Sequence, residues 1–513
     1  MSGQADSTTT ASAKLSQSRS LMKPYAYLVV AFIVSRLLYF IAGLRFDAST
    51  LGNLWPIVDP QLLKENLFQS IYYLHFQPPL FNLYIGSVLN LFPGHALLVF
   101  NISYLALGLL LGISLFLLMN RLGVSVGIAT LLTILFIVSP SVVLYENLLF
   151  YTYPLAAFLV ATALFLHRFV SSSKVREGTI LFALLAALVL TRNLFHIFWF
   201  VFSVVLILAF QKHNWKKIVL AASIPFVVVV FVYGKNLVLF GSPTTSTWMG
   251  MNLYEVTTQR LSENQRRSLF EQGKISELSL IPSFRALRDY QAFLPKTEKE
   301  NIPVLYQEFT SSGGPNFNNI AYIDIDRQYL KDSIQALLSH PEAHLKSQLR
   351  AYFAYFLSSS DNFFVEGNRQ RIQYADRLFN LLFYGRVLQH DETTVTRYAK
   401  LLQHEEPPLT RENIATIYLP MTLNLGLFLL VGLPLLVFYG LRLAIKSLSQ
   451  RAPDLPSRLT LLFMCITVVL VTLVGNSFAA GENNRFRFMV DPFFVVLLGL
   501  FLNARFNKHR NPG

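Results

Sequence analysis

The chain has 513 residues, of which 53% are hydrophobic and 14% are charged, and its formal net charge is +14. Soluble domains carry about 25% charged residues, so this composition excludes a soluble enzyme and a disordered protein and predicts a polytopic membrane protein. The only cysteine is Cys465, which excludes an intramolecular disulfide and a CxxC metal site.

The chain opens with residues 1–23, which are rich in Ser, Thr and Ala and predict a disordered tail. Most of the apolar stretches that follow approach the roughly 20 residues that a helix needs to cross a bilayer. We therefore predict an all-α polytopic membrane protein with about ten transmembrane helices, at residues 24–44, 97–119, 122–140, 154–170, 178–191, 194–210, 217–234, 416–440, 459–478 and 488–504.

Two long segments separate these predicted helices. The first, 45–96, contains the stretches 62–76 and 78–92, which are too short for a comfortable crossing and predict interfacial helices. The second, 235–415, is polar and predicts a mainly helical external (periplasmic) domain. The domains are thus a transmembrane module at 24–234 with its first external loop, the external domain, and C-terminal transmembrane helices with a cytoplasmic tail at 416–513.

The basic residues set the orientation. With a cytoplasmic N-terminus, the cytoplasmic pieces hold 17 basic and three acidic residues, which is the whole net charge of +14. This is the positive-inside pattern, and it predicts that both termini are cytoplasmic. Because topology accounts for the basic excess, a nucleic-acid partner loses its main support.

Three carboxylates fall on the predicted external side. Asp47 follows the first helix, Asp59 precedes Pro60, and Glu146 follows the third apolar stretch. A carboxylate held at the membrane surface can act as a general base toward a hydroxyl. The alternatives are a loop cap for Asp47, a turn for Asp59, and an ion pair with an arginine for Glu146.

Cationic side chains fall on the same side. Arg192 and His196 lie in a tight turn between two apolar helices, where the positive-inside rule predicts few basic residues. A structural salt bridge is the alternative for that arginine.

The other cationic motif spans 481–488, ahead of the last helix, and includes Glu482, Asn484, Arg485 and Arg487. Arginine suits bidentate recognition of phosphate. The alternative is an anchor at the membrane interface.

These elements occur in a recognisable order: Asp47 after the first helix, then Pro78-Pro79-Leu80, then the arginine motif before the last helix. In this order the chain resembles the C-type (GT-C) integral-membrane glycosyltransferases, and more narrowly the protein O-mannosyltransferase and lipid A aminoarabinose transferase group.

The chain departs from that group at several positions. Gln77 stands where the group often has histidine, and His75 lies two residues earlier. Either Asp47 or Asp59 matches the catalytic aspartate of the group, and Glu146 is the candidate for its second acidic residue.

The resemblance implies an inverting transfer of a sugar from a polyprenyl-phosphate donor to a hydroxyl of a glycan, lipid or protein acceptor. It places the reaction on the external face of a membrane, expected to be the bacterial inner membrane. Arg485, Arg487 or Arg192 would stabilise the leaving phosphate, and Asp47 or Asp59 would be the base, with Glu146 as a third candidate. Whether a divalent metal cofactor is needed stays open.

Two other functions compete with this interpretation. A transporter or flippase for lipid-linked glycans would favour internal repeats and charges at the membrane midplane, whereas no repeat appears and only Arg36 lies clearly within a predicted helix. An O-antigen-type polymerase or ligase would also use arginines and an external loop, and the Pro-Pro element argues against it.

Overall fold

The computed structural model describes residues 5–294, 301–384, 428–449, 454–478 and 483–510. These residues form no β-strand, and their extended segments make two isolated bridges, between Asp47 and Leu148 and between Phe309 and Pro315. The all-α class predicted from the sequence is therefore confirmed for the described part of the chain.

The first half of the chain is a succession of helices joined by short turns. They are α1 (Ala5–Ile41), α2 (Thr50–Asn53), α3 (Pro60–Glu65), α4 (Leu67–Tyr72), α5 (Pro79–Leu91), α6 (Ala96–Arg121), α7 (Val126–Ile137), α8 (Pro140–Glu146), α9 (Thr152–Ser172), α10 (Val175–Thr191), α11 (Ile197–Phe210) and α12 (Trp215–Phe240).

The second half continues with shorter helices and returns to long apolar ones. They are α13 (Met249–Val256), α14 (Glu263–Glu271), α15 (Pro303–Tyr306), α16 (Ala321–Ser339), α17 (Pro341–Tyr355), α18 (Glu366–Arg371), α19 (Gln373–Tyr384), α20 (Leu433–Ser449), α21 (Leu455–Ser477) and α22 (Asn483–Arg510).

The described residues contain six helices long and apolar enough to cross a membrane. They are Met22–Ile41 in α1, α6, α9, Lys212–Phe240, α21 and Asn483–Phe506 in α22, and the bent pair α7 and α8 makes a seventh if it counts as one crossing. These helices are those of a multi-pass membrane protein. The ten predicted crossings are not established, because α10 and α11 have only 17 and 14 residues and residues 416–427 lie outside the described part.

Three elements differ from the sequence prediction for local reasons. First, α1 begins at Ala5, inside the segment predicted to be a disordered tail, since adding residues to an existing helix costs far less than nucleating one. Second, the third apolar stretch bends by 57° between α7 and α8. There Pro140 lacks the amide to continue the helix, and the Ser139 hydroxyl accepts a hydrogen bond from the Val142 amide at 3.4 Å.

The third difference is in the first loop. Residues 62–76 were predicted as one interfacial helix, but α3 and α4 meet at Asn66, whose φ of −141° is not helical. The stretch 78–92 does form a helix, α5.

Helix α9 lies at the centre of the bundle and packs against α6, α10, α21 and α22. It begins at Thr152, directly after the turn formed by residues 147–151. The N-terminal end of α9 therefore positions this turn. The helices that carry the candidate site residues also meet there.

Candidate functional site

The turn at 147–151 joins the first external loop to the bundle. The Asp47 amide donates to the Asn147 carbonyl and the Leu149 amide donates to the Asp47 carbonyl, both at 2.8 Å. The Thr50 hydroxyl donates to the Leu149 carbonyl, also at 2.8 Å. These bonds fix residues 47–50 beside the start of α9.

Two arginines that the sequence analysis singled out meet at this turn. The Arg485 guanidinium lies 4.4 Å from the centroid of the Phe150 ring, and the Arg192 guanidinium lies 4.1 Å from that of Phe486. Both also lie over Tyr151, at 5.6 and 5.2 Å. Cation–π attraction of this kind strengthens when the cation is desolvated, so the shared rings hold two positive charges close together.

These two arginines line a cavity of about 1170 Å³. Only 3% of Arg485 and 8% of Arg192 is exposed, so their charges lie largely outside bulk water. The lining is mainly apolar and aromatic, with polar side chains from several segments, among them Ser49, Thr50, Gln77, Asn193, His196, Thr244, Ser246, Asn252 and Glu255.

The cavity has an apolar arm between α11 and α21. Trp199 and Phe202 contribute from α11, and Ile466, Leu470 and Val474 contribute from α21. The three α21 residues are spaced by four, so they form one stripe about 12 Å long on that helix. These three residues lie on α21, which is long and apolar enough to cross a membrane.

The cavity thus combines cations with an elongated apolar groove. Guanidinium groups recognise phosphate through charge-assisted hydrogen bonds, and few polar groups in an apolar pocket are typical of small-molecule sites. An anionic amphiphile with a long apolar tail fits both features.

The other arginine of the motif, Arg487, faces a different environment. Its Nε donates to Asp491 at 3.0 Å, and its two other nitrogens donate to the carbonyls of Tyr355 and Leu357 and to the Ser359 hydroxyl, at 2.6–2.8 Å. Residues 485 and 487 both lie in α22, and two helical positions differ by about 200° around the axis. Arg487 therefore fastens the end of α17, and it does not line the cavity.

Asn484, like Arg487, bonds to the segment that follows α17. Glu482 lies outside the described residues. The Asn484 amide donates to the carbonyls of Ser358 and Asp361, at 2.9 and 2.7 Å. The predicted motif at 481–488 thus divides: Arg485 faces the cavity, whereas Asn484 and Arg487 hold the segment that follows α17.

Glu146 is buried and paired. Its carboxylate accepts both Nε and Nη2 of Arg36, at 2.8 and 2.6 Å, and the Tyr153 hydroxyl at 2.8 Å. Arg36 also donates to the carbonyl of Ile137, at the end of α7, at 2.7 Å. This arrangement corresponds to the structural alternative, an ion pair with an arginine, and it stabilises the bend between α7 and α8.

The two aspartates of the first loop are placed differently. Asp59 is buried, and its carboxylate accepts the amide and hydroxyl of Ser311 at 2.7 and 2.5 Å and the Gln61 amide at 3.0 Å. Asp47 is half-buried and accepts the Ser49 amide at 2.8 Å. Neither lines the cavity, but Asp47 lies two residues from Ser49, which does.

His75 joins the first loop to the segment after α12. Its Nε2 lies 2.9 Å from the Asn318 carbonyl, which only accepts, so Nε2 carries the proton and Nδ1 accepts the Thr247 hydroxyl at 2.9 Å. Burial lowers the pKa of His75 to about 3. This histidine is neutral and structural, and two residues later Gln77 lines the cavity.

His196 lines the cavity beside Arg192 and caps α11. Its Nδ1 accepts the Phe198 amide at 3.4 Å. In the neutral ring the proton is therefore on Nε2, which is the nitrogen left to donate a hydrogen bond.

Sequence reasoning missed other cavity residues, above all Trp55, Trp248 and Glu255. Trp248, Asn252 and Glu255 follow the i, i+4, i+7 spacing of one helix face. This spacing is visible in the sequence, but it does not distinguish this face from those of the other helices of 235–415, which also mix polar and apolar residues. Among the described residues, no group of three or more His, Cys, Asp and Glu side chains is placed to hold a metal ion.

Comparisons with known proteins found no matching family model, no matching curated protein and no matching solved structure. The fold and the cavity define a multi-pass α-helical membrane protein with a cavity of about 1170 Å³ beside the start of α9.

Proposed function

We propose that this protein is an inverting glycosyltransferase that moves a sugar from a polyprenyl-phosphate donor to an acceptor hydroxyl on the external face of the membrane. The observation that carries the proposal is the cavity itself. Arg192 and Arg485 line one part of it, and apolar residues of α11 and of the candidate crossing α21 line another.

Each part of the donor has a matching part of the cavity. The phosphate would lie against the two guanidinium groups, which can donate charge-assisted hydrogen bonds to it. The isoprenoid chain would follow the stripe of Ile466, Leu470 and Val474. The sugar would occupy the wider region lined by polar side chains, where the acceptor also enters.

The arginines also suit the chemistry of transfer. Departure of the phosphate leaves negative charge on its oxygen, and preorganised cations in a water-poor site stabilise such charge strongly. A hydroxyl that attacks from the side opposite the phosphate inverts the anomeric centre. A carboxylate near the acceptor would take the proton.

The membrane arrangement belongs to the same proposal. We place both termini in the cytoplasm, ten crossings in the bilayer and the cavity on the external side, in the bacterial inner membrane. The seventeen basic residues of the predicted cytoplasmic pieces support it. The resemblance to the C-type glycosyltransferases agrees with this orientation.

Donor binding is the first test. Purified protein in phosphatidylcholine nanodiscs would be titrated with undecaprenyl phosphate and, separately, with undecaprenol, which lacks the phosphate. We expect Arg485→Ala to weaken binding of undecaprenyl phosphate about tenfold or more, as for a lost charged hydrogen bond, and to leave undecaprenol binding unchanged.

The matched control is Arg505→Ala, which removes an exposed arginine from the same helix outside the cavity. It should bind undecaprenyl phosphate like the wild type. If Arg485→Ala and Arg192→Ala both bind that lipid as tightly as the wild type, the phosphate site is wrong.

Turnover is the second test. Proteoliposomes would receive a panel of undecaprenyl-phosphate sugars together with an extract of envelope glycans, lipids and proteins. We expect one donor to be converted to undecaprenyl phosphate. A flippase would move the donor and leave it chemically unchanged, so binding without conversion of any donor would favour that alternative.

A further inference from the structure

The cavity holds a carboxylate that the sequence analysis did not select. Among the described residues that line the cavity, Glu255 is the one with a carboxylate side chain. Asp47 accepts the Ser49 amide, Asp59 accepts Ser311 and Glu146 is held by Arg36 and Tyr153. None of these three carboxylates is among the residues that line the cavity.

We infer that Glu255, on α13, is the general base that accepts the proton of the acceptor hydroxyl during sugar transfer. This inference rests on the function proposed above. It also assigns the acceptor to the part of the cavity formed by α13, where Trp248 and Asn252 lie on the same helix face as Glu255.

Helix α13 is held rigidly, as a catalytic carboxylate requires. Gly250 lies so close to α16 that a Cβ there would come within 1.9 Å of the Asp326 carbonyl oxygen. The Asp326 carboxylate accepts the Met251 amide at 2.8 Å, at the start of α13. The Tyr254 hydroxyl donates to the Ser279 carbonyl at 3.0 Å, which fixes the middle of the helix.

Arg260 lies next to Glu255 and contributes positive charge there. Arg260 donates through Nε to the Glu255 main-chain carbonyl at 2.9 Å. Burial lowers the pKa of Arg260, and the negative charge of Glu255 acts in the opposite direction, so the two charges attract each other. In the proposed reaction the Glu255 carboxylate, beside this cation, accepts the proton.

The transfer step balances with these groups. The acceptor O–H gives its proton to the Glu255 carboxylate as its oxygen forms a bond to the anomeric carbon of the donor sugar. The bond from that carbon to the phosphate oxygen breaks, and the electron pair stays on the phosphate, which Arg192 and Arg485 stabilise. The products are the glycosylated acceptor, polyprenyl phosphate and protonated Glu255.

The test compares Glu255→Gln, Asp47→Asn and Glu263→Gln in single-turnover reactions with the undecaprenyl-phosphate sugar that the wild type converts. Loss of a general base costs about 10²–10⁴-fold in rate, so Glu255→Gln should lose that much and bind undecaprenyl phosphate like the wild type. Glu255→Asp should recover part of the rate. Glu263 is an exposed glutamate paired with Arg267 and serves as the control.

The outcomes separate this inference from the proposed function. If the wild type converts no donor in the panel, the proposed function fails and the inference fails with it. If the wild type converts a donor and Glu255→Gln does so at the same rate, only the inference fails, and an inactive Asp47→Asn would return the role to the first loop. If Glu255→Gln also loses undecaprenyl phosphate binding, the carboxylate is structural and the inference is overturned.

Discussion

The cavity and the Arg36–Glu146–Tyr153 network both place charged side chains near the ends of bundle helices, but they treat charge in opposite ways. In the network, the protein itself supplies a bidentate partner for the guanidinium and a hydroxyl for the carboxylate. In the cavity, Arg192 and Arg485 lie over aromatic rings and line about 1170 Å³ of space.

The difference distinguishes structural from functional charges in an apolar chain. A buried ion pair with good geometry is closed to other ligands, and removing one partner leaves an uncompensated charge. Arg192 and Arg485 line a cavity large enough for a ligand, and we expect them to contact an anion bound there. The two regions should therefore respond differently to substitution, in stability on one side and in ligand binding on the other.

The largest effect should come from breaking the network. Glu146→Gln leaves the Arg36 charge buried without its carboxylate, and we expect a loss of about 3–5 kcal/mol in the free energy of unfolding. Thermal unfolding in detergent measures it. The double variant Arg36→Met/Glu146→Gln should be less destabilised than Glu146→Gln, and equal destabilisation of both would contradict the buried pair.

The two arginines of α22 offer the sharpest comparison. Arg487→Ala removes bonds to Asp491, Ser359 and two carbonyls, so it should destabilise the protein by about 3–5 kcal/mol. Arg485→Ala removes cation–π contacts and a long hydrogen bond to Thr152 at 3.4 Å, and we expect it to destabilise the protein less than Arg487→Ala. Unfolding curves of both variants check this, and the reverse order would mean that their assignments must be exchanged.

A smaller effect is expected at Gly108, which makes room for the network. A Cβ at this position would lie 2.1 Å from Glu146 Oε2 and 2.7 Å from the Tyr153 hydroxyl. Gly108→Ala should therefore cost about 1–3 kcal/mol through overpacking. Gly127→Ala is the control, because nothing lies within 4 Å of a Cβ there. If the melting temperature of Gly108→Ala is unchanged, the Glu146 and Tyr153 side chains can move away from the added methyl group without loss of stability.

The smallest effect concerns pH and lies outside both regions, at His75. Because burial lowers its folded pKa to about 3, below the ordinary 6.5, the folded state binds fewer protons than the unfolded state between these values. The stability that His75 contributes is present above pH 6.5 and is lost as pH falls, by about 1.4 kcal/mol at pH 5.5.

Hydrogen exchange of residues 72–77, corrected for intrinsic rates, should therefore accelerate at pH 5.5 relative to pH 7.5. His75→Gln keeps hydrogen-bonding atoms but does not titrate, so its exchange should not depend on pH in this range. Acceleration in both proteins would assign the effect to another group.

Several features of the fold could be predicted from the sequence because they depend on local composition. Apolar runs near the length of a bilayer predicted the long helices, and the short run 78–92 predicted α5. Pro140 marks the bend between α7 and α8, and Asn66 marks the break between α3 and α4. Neither was predicted, because the length of each apolar run favoured one continuous helix even across a proline.

The site could be predicted only in part. Arg192, Arg485, His196 and Gln77 were selected from the sequence and do line the cavity. Asp59 and Glu146 were selected by the same reasoning, but their partners Ser311 and Arg36 lie 252 and 110 residues away. The sequence alone does not show whether such a distant partner reaches a given carboxylate.

The apolar composition is enough to predict that this protein crosses a membrane with helices, because every buried backbone group in a bilayer must be satisfied within its own helix. Which charges face the cavity depends instead on how the helices pack. Arg485 and Arg487 stand two positions apart in one helix, and the angle of about 200° between them sends one to the aromatic rings of the 147–151 turn and the other to the end of α17. Which of the two arginines faces the cavity depends on which helices pack beside α22, and it cannot be predicted from residue type alone.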